Sequence, residues 1–269
     1  NNKPIIIVGG EPYGIFFEIF FKSKKKINLR RPVILIASKK LILLQMKKLG
    51  YNFKINTIDK SKINFNLLDK DKINLINVDF RFNKIFDKIS SKSNSYINQS
   101  FEIALKILKE KKCAGLINGP VSKKYFLKGK YLGITEFLAN KTNSKDNFAM
   151  LIYNKKISVS PITTHLPLKV VHKFISKKKI INNVKIIVKF YKKYFMKIPK
   201  IAVTGLNPHC ESNFKSSEEK ASINPAIKLL LRNGYDVKGP FAADTLFMKE
   251  HLKKYDLVIG MYHDQVLTP

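Results

Sequence analysis

Residues Ile157 to Leu166 read ISVSPITTHL, a β-branched apolar run that breaks into a loop at His165. The same passage occurs twice more: KIAVTGLNPHC, Lys200 to Cys210, carries His209, and LVIGMYHDQ, Leu257 to Gln265, carries His263. Loops at strand ends are where α/β proteins gather functional groups from distant parts of the chain, and imidazole is the commonest side-chain metal ligand. A three-histidine metal site is therefore the first hypothesis, and three unrelated structural histidines the alternative. The other two histidines, His172 and His251, lie in lysine-rich, helix-like surroundings with no strand leading into them.

Outward from these segments, short β-branched runs alternate with amphipathic stretches along the whole chain. That is the pattern of a parallel or mixed sheet with helices on both faces. Strands are predicted at Pro4 to Val8, Pro32 to Ala37, Ile73 to Val78, Ala114 to Ile117, Phe148 to Tyr153, Ile157 to Ile162, Lys200 to Thr204 and Leu257 to Ile259. The clearest helices are Lys39 to Leu49, Tyr96 to Lys111, Ile180 to Phe195 and Glu218 to Asn233, the first and last each followed by a terminating glycine. Asn52 to Asn94 is the least regular stretch. With no repeat and no linker rich in Pro, Gly or Ser, residues 1–269 read as one α/β unit of two lobes sharing a mixed sheet.

A chain of 269 residues with 45% hydrophobic content can bury a substantial core. Its formal charge of +32 suggests a polyanionic partner, yet the 51 basic residues include only Arg30, Arg31, Arg81 and Arg232 as arginines. Base readers and phosphate clamps favour the arginine fork, so the lysine excess reads as a solvated surface that attracts small anions, and no nucleic-acid partner is expected. Screening limits that attraction to about 8 Å. Two cysteines without a CxxC pair fit a reducing, cytoplasmic setting, with Cys210 a bystander beside His209. No apolar run is long enough for a spanning helix, and no membrane partner is expected.

Four further segments sit at strand or helix boundaries. GGEPYGI, Gly9 to Ile15, lacks the G-x-G-x-x-G spacing of a dinucleotide fingerprint and reads either as a loose phosphate turn or as a tight turn into a helix. INGPVSKK, Ile117 to Lys124, offers a turn, a helix cap at Ser122 and a cation at Lys123. In GITEFLA the hydroxyl of Thr135 can cap a helix or meet a phosphate; in FAADTLF, Asp244 can cap a helix or orient an imidazole. Asp264 follows His263 directly.

In this order GEPYGI, INGPVSKK, GITEFLA, TTHLPL, GLNPH, ADTLF and YHDQ resemble the 4-hydroxythreonine-4-phosphate dehydrogenase (PdxA) family, from about Gly9 to the last residue. The resemblance implies an isocitrate/isopropylmalate dehydrogenase-like fold and a homodimer with its active sites at the subunit interface. It implies a divalent metal (Zn, Mg, Mn or Co) held by His165, His209 and His263 shared between subunits. It also implies NAD or NADP as oxidant, a small phosphorylated substrate contacted by Thr135, and Asp244 and Asp264 near the reacting atoms. No residue is assigned to cofactor binding.

Three departures stand out. Ile134 occupies the place of the family's histidine and removes a phosphate contact. Phe16 and Phe17 replace a Gly and a Pro. The family pattern continues past YHDQ with substrate and cofactor residues, so the chain is expected to lack a C-terminal part. The implied reaction oxidises 4-phosphooxy-L-threonine, whose product then decarboxylates, in pyridoxal phosphate (vitamin B6) biosynthesis. The alternatives are a dehydrogenase of threonate or erythronate 4-phosphate and a three-histidine metal hydrolase, which lacks an HExxH-type base.

Overall fold

The structure is a computed structural model that describes residues 3–27, 31–144, 147–210 and 217–269. The chain forms two compact units, Asn1–Ile134 and Thr135–Pro269. The first contains β1 (Ile5–Val8), α1 (Phe16–Lys26), β2 (Val33–Ala37), α2 (Lys39–Lys48), β3 (Ile55–Ile58), β4 (Ile73–Asn77), α3 (Asn94–Lys109) and β5 (Gly115–Asn118). Its strands form a parallel sheet of order β3-β4-β2-β1-β5, in register Ile5 to Val33 on one side of β1 and Ile5 to Gly115 on the other. The second contains α4 (Ile134–Lys141), β6 (Ser158–Thr163), α5 (Leu168–Val171), α6 (Lys177–Phe195), β7 (Ile201–Thr204), α7 (Asn224–Arg232), β8 (Val237–Phe241), α8 (Ala243–Leu246), α9 (Lys249–Leu252), β9 (Leu257–Tyr262) and α10 (His263–Leu267). Its parallel sheet has the order β6-β9-β7-β8.

The α/β class and the parallel pairing follow the sequence pattern, but one shared mixed sheet does not: each unit has its own sheet, and the named strands pair in parallel. Phe148 to Tyr153, expected as a strand, makes only an isolated antiparallel bridge from Ile152 to Val159. The apolar residues of this run are used elsewhere. Ala149 and Leu151 pack on one core of the second unit and Ile152 on the other, so their alternation serves packing instead of a ladder.

Local chemistry sets the helix ends. Ser38 accepts from the Leu41 amide at the start of α2, and Ser176 from the Lys179 amide at the start of α6. Pro225 sits in the first turn of α7, where its missing N–H costs nothing. In the first unit α1 turns the two departures Phe16 and Phe17 into core: both are buried, and the Phe17 ring lies 3.4 Å from where a Cβ on Gly9 would stand. In the second unit Ile180, Val184, Ile187 and Tyr191 of α6 and Ile223, Ile227 and Leu230 around α7 cover one face of the sheet. Leu246 and Val266 cover the other. Among the described residues no helix is long and apolar enough to cross a membrane.

Candidate active site

Parallel strands whose exits turn to opposite faces leave a crevice at their C-terminal ends, and ligands of α/β proteins bind there. In the second unit β9 exits into α10, whose Val266 packs on one face, while β7 leads to α7 on the other. The two strands pair only as far as Val203 and Ile259, whereas β6 stays paired with β9 as far as Thr163 and Tyr262.

Histidines stand at this rim. His165 follows β6 at the centre of a tight turn in which the Leu166 amide donates to the Thr164 carbonyl at 2.6 Å. His263 is the first residue of α10. Their ring centres are 5.5 Å apart and their planes inclined by 41°. Asp264 Oδ1 lies 2.7 Å from Nδ1 of His263. An ionised carboxylate only accepts, so in the neutral ring that bond places the proton on Nδ1 and the lone pair on Nε2. Nδ1 of His165 is buried and has no hydrogen-bond partner.

The third histidine behaves differently. His209 is exposed, in left-handed backbone at φ 57°, within the Pro208–Cys210 turn. Among the described residues no group of three or more His, Cys, Asp and Glu side chains converges within the chain. The structure thus brings His165 and His263 together and leaves His209 outside the pair. The Cys210 sulfur lies 2.7 Å from where a Cβ on Gly205 would stand, so a larger residue there would require Cys210 to shift.

The remaining candidates divide. Asp264 takes the imidazole-orienting role that was open to Asp244. Asp244 is exposed in the first turn of α8, where Oδ1 accepts from the Thr245 amide at 2.8 Å. Thr135 is half-buried in the first turn of α4. Its neighbour Glu136 accepts from the Thr164 hydroxyl at 2.6 Å, which ties α4 to the residue before His165. The second oxygen of Glu136 is buried without a partner. Burial holds the Lys179 ammonium below the usual lysine range, partly offset by the attraction of Glu136.

Two residues escaped the sequence reading. Glu219, 1% exposed, accepts from the Leu206 and Asn207 amides at 2.8 Å and from Asn207 Nδ2 at 2.8 Å, and so fixes the backbone just before Pro208 and His209. Burial alone would raise the pKa of its carboxyl, but the Asn207 and Leu206 hydrogen bonds outweigh that and hold it below the usual range. A signal for it exists: Glu219 lies on the apolar stripe with Ile223, Ala226 and Leu230, where a lone carboxylate must have partners. Gln265, 8% exposed, accepts from the Met261 amide at 2.7 Å and the Thr204 hydroxyl at 2.8 Å, and donates to the Gly205 carbonyl at 2.7 Å.

The pair fits a divalent cation. An imidazole nitrogen about 2 Å from an ion puts its ring centre about 3 Å away, so two ligands at a tetrahedral angle stand about 5 Å apart, close to the spacing found. The unpartnered buried nitrogen of His165 leaves one ring without a protein partner, and the carboxylate behind His263 supports the other ring, as the ligands of such an ion require.

Parallel sheets flanked by helices, with a histidine pair at the strand ends of the second, define an α/β protein of the isocitrate dehydrogenase-like kind. Residues 28–269 match the family described as "Pyridoxal phosphate biosynthetic protein PdxA", and the chain belongs to that family. It is 36% identical over 276 residues to 4-hydroxythreonine-4-phosphate dehydrogenase of Sulfurihydrogenibium sp. strain YO3AOP1, covering 98% of this chain and 81% of that protein. It is 30% identical to an Oceanobacillus iheyensis protein provisionally named D-threonate 4-phosphate dehydrogenase, over 98% of this chain and 82% of that one. The crystal structure of a Burkholderia phymatum 4-hydroxythreonine-4-phosphate dehydrogenase superposes with a TM-score of 0.83 at 27% identity, over 100% of this chain and 83% of that one. The fold is the expected isocitrate dehydrogenase-like one, and the chain is an oxidoreductase by family.

Proposed function

We propose that the chain oxidises 4-phosphooxy-L-threonine to 2-amino-3-oxo-4-phosphooxybutanoate, which decarboxylates to 3-amino-2-oxopropyl phosphate, using NAD or NADP and a divalent cation, in the cytoplasmic synthesis of pyridoxal phosphate. The observation that carries this reading is the pairing of His165 with His263 at the open rim of the second sheet, with Asp264 behind His263. His165 and His263 would hold the cation, and His209 would complete the ligands for a second copy of the chain in a homodimer. When bound, the cation supplies Lewis acidity toward the substrate hydroxyl and the developing enolate, and the nicotinamide accepts hydride.

The chain's own residues do the rest. Asp264 holds the His263 proton at Nδ1, so that ring keeps one fixed tautomer and a lone pair at Nε2. Glu136 holds Thr164 and with it the turn that presents His165. Thr135, one residue away, offers its hydroxyl to the phosphate. Asp244 and Asp264 are the candidate proton carriers because both are exposed at helix starts beside the strand ends.

A second substrate has specific support. Ile134 changes the pocket from that of the family pattern, and relatives at 30% and 31% identity are provisionally named D-threonate 4-phosphate dehydrogenase. The test is NADH or NADPH formation with each phosphorylated acid, with and without a chelator, in the parent and in His263→Ala. The expected result is chelator-sensitive turnover with 4-phosphooxy-L-threonine that falls roughly a hundredfold or more in the variant. Turnover indifferent to both chelator and substitution overturns the metal reading; a strong preference for D-threonate 4-phosphate replaces the substrate.

A further inference from the structure

We infer that Gln265 is the positioning residue of the histidine site, the side chain that fixes the strand ends bearing His165, His209 and His263 in one register; this rests on the metal reading above. The sheet itself leaves this work undone. Beyond Ile259 strand β9 has lost β7 as a partner, so the Met261 amide faces a gap where a ladder bond would otherwise form. The Gln265 amide fills that gap. Its oxygen takes the Met261 amide proton and the Thr204 hydroxyl, and its nitrogen donates to the Gly205 carbonyl.

The chain of bonds continues one strand further, because the Thr163 hydroxyl donates to the Met261 carbonyl at 2.7 Å. Three neighbouring strand ends are thereby tied through two fully buried threonines and one amide. His165 and His263 stand two residues beyond Thr163 and Met261, and His209 four beyond Gly205. The Gln265 amide satisfies the Met261 N–H and the Gly205 carbonyl at the point where the ladder between β7 and β9 has ended, past Val203 and Ile259.

Only glutamine meets the demand. A glutamate would set an oxygen against the Gly205 carbonyl, and an apolar side chain would strand the Met261 amide and the Gly205 carbonyl and leave the Thr204 hydroxyl only its 3.5 Å approach to the Ile259 carbonyl. The helix that carries it is seated without slack: a Cβ on Gly260 would overlap the Val266 side chain and stand 3.2 Å from Gln265 Oε1.

Titration of the full chain with Co²⁺, followed by calorimetry and by the visible absorption of the bound ion, tests the inference without any assay of turnover. Gln265→Met is expected to bind Co²⁺ about tenfold or more weakly and with an altered absorption band. Val237→Ala, a core change in β8 of the same unit, is expected to keep the parent's affinity and band at comparable loss of thermal stability. A folded Gln265→Met with the parent's affinity and band overturns the inference alone. If that variant does not fold, Thr204→Val, which withdraws one hydroxyl from the same amide, is read instead: severalfold weaker binding with a changed band supports the inference, and an unchanged pair of readings overturns it. Co²⁺ binding to the parent that His263→Ala leaves intact overturns the metal reading and the inference with it.

Discussion

In the first unit the ends of β1 and β5 close on each other; in the second the ladder between β7 and β9 stops at Val203 and Ile259, short of the end of β9. Both pairs lie where a parallel sheet changes direction, since α1 packs with α2 on one face while the segment after β5 meets α3. The first unit fills the opening with backbone. Gly10, at φ 70°, lies so near Pro120 that a Cβ would be 2.5 Å from its carbonyl oxygen, and a Cβ on Gly119 would overlap the Gly9 carbonyl. The Glu11 amide donates to the Pro120 carbonyl at 2.9 Å and seals the contact. The second unit fills its opening with the side chain of Gln265 and places histidines at the rim. The C-terminal ends of two parallel sheets of different strand order are thus treated differently, closed by glycine backbone in the first unit and bridged by a side chain in the second.

The sharpest way to break this comparison is Gly119→Ala. The added methyl has the Gly9 backbone on one side and Phe16 Cδ2 at 2.9 Å on the other, and neither is the flexible end of a side chain. The variant is expected to lose about 1 to 3 kcal/mol in urea unfolding, the usual cost of overpacking a filled site. Turnover per folded molecule should stay within about twofold, because none of the proposed ligands lies in the first unit. A stability loss near zero would mean that the opening between β1 and β5 is looser than its glycines indicate.

Glu219→Gln probes the corresponding backbone in the second unit. It replaces a carboxylate that takes three N–H bonds with an amide that turns an N–H toward other donors, and about 1 to 3 kcal/mol of stability should be lost at neutral pH. The sign with pH is set by the direction of the shift. The folded carboxyl lies below its unfolded value, so its contribution is complete above the unfolded pKa and is lost as pH falls through the folded one. The gap between parent and variant in urea midpoints should narrow below about pH 4. A gap of constant size across that range would assign the loss to shape instead of charge.

Much of the scaffold was legible because buried parallel strands are written as continuous apolar runs. What was missed lacks that signature. β3 lies at the edge of its sheet and is only half-buried, and β8 is an edge strand broken by Gly239 and Pro240. His165 and His263 were legible as strand-end residues, and they meet, whereas His209 does not join them; the Ser122 cap was read correctly, since Oγ accepts from the Tyr125 amide at 3.1 Å. Glu136 with Thr164 was not, because residues 28 apart meet only in the fold. Gln265 was hidden for a deeper reason. Its partners at Met261 and Gly205 are backbone groups, which every residue carries and no sequence pattern announces.

The smallest effect concerns the opposite rim of the first sheet, where Cys113 precedes β5. Burial pushes its thiol up to about 11, with a further push from Glu110 against a smaller pull from Lys3. At pH 8 the thiolate fraction is then a few hundredfold below that of an ordinary cysteine, while the greater nucleophilicity of a more basic thiolate recovers roughly tenfold. Alkylation of Cys113 by iodoacetamide, followed by mass spectrometry of its peptide, should run at least tenfold slower than that of a free cysteine in the same solution. The rate should rise steadily toward pH 11. Labelling as fast as the free amino acid would show that the lower rim of the first unit opens to solvent, and the contrast between a closed scaffold and an open site would then hold at the glycine contact alone.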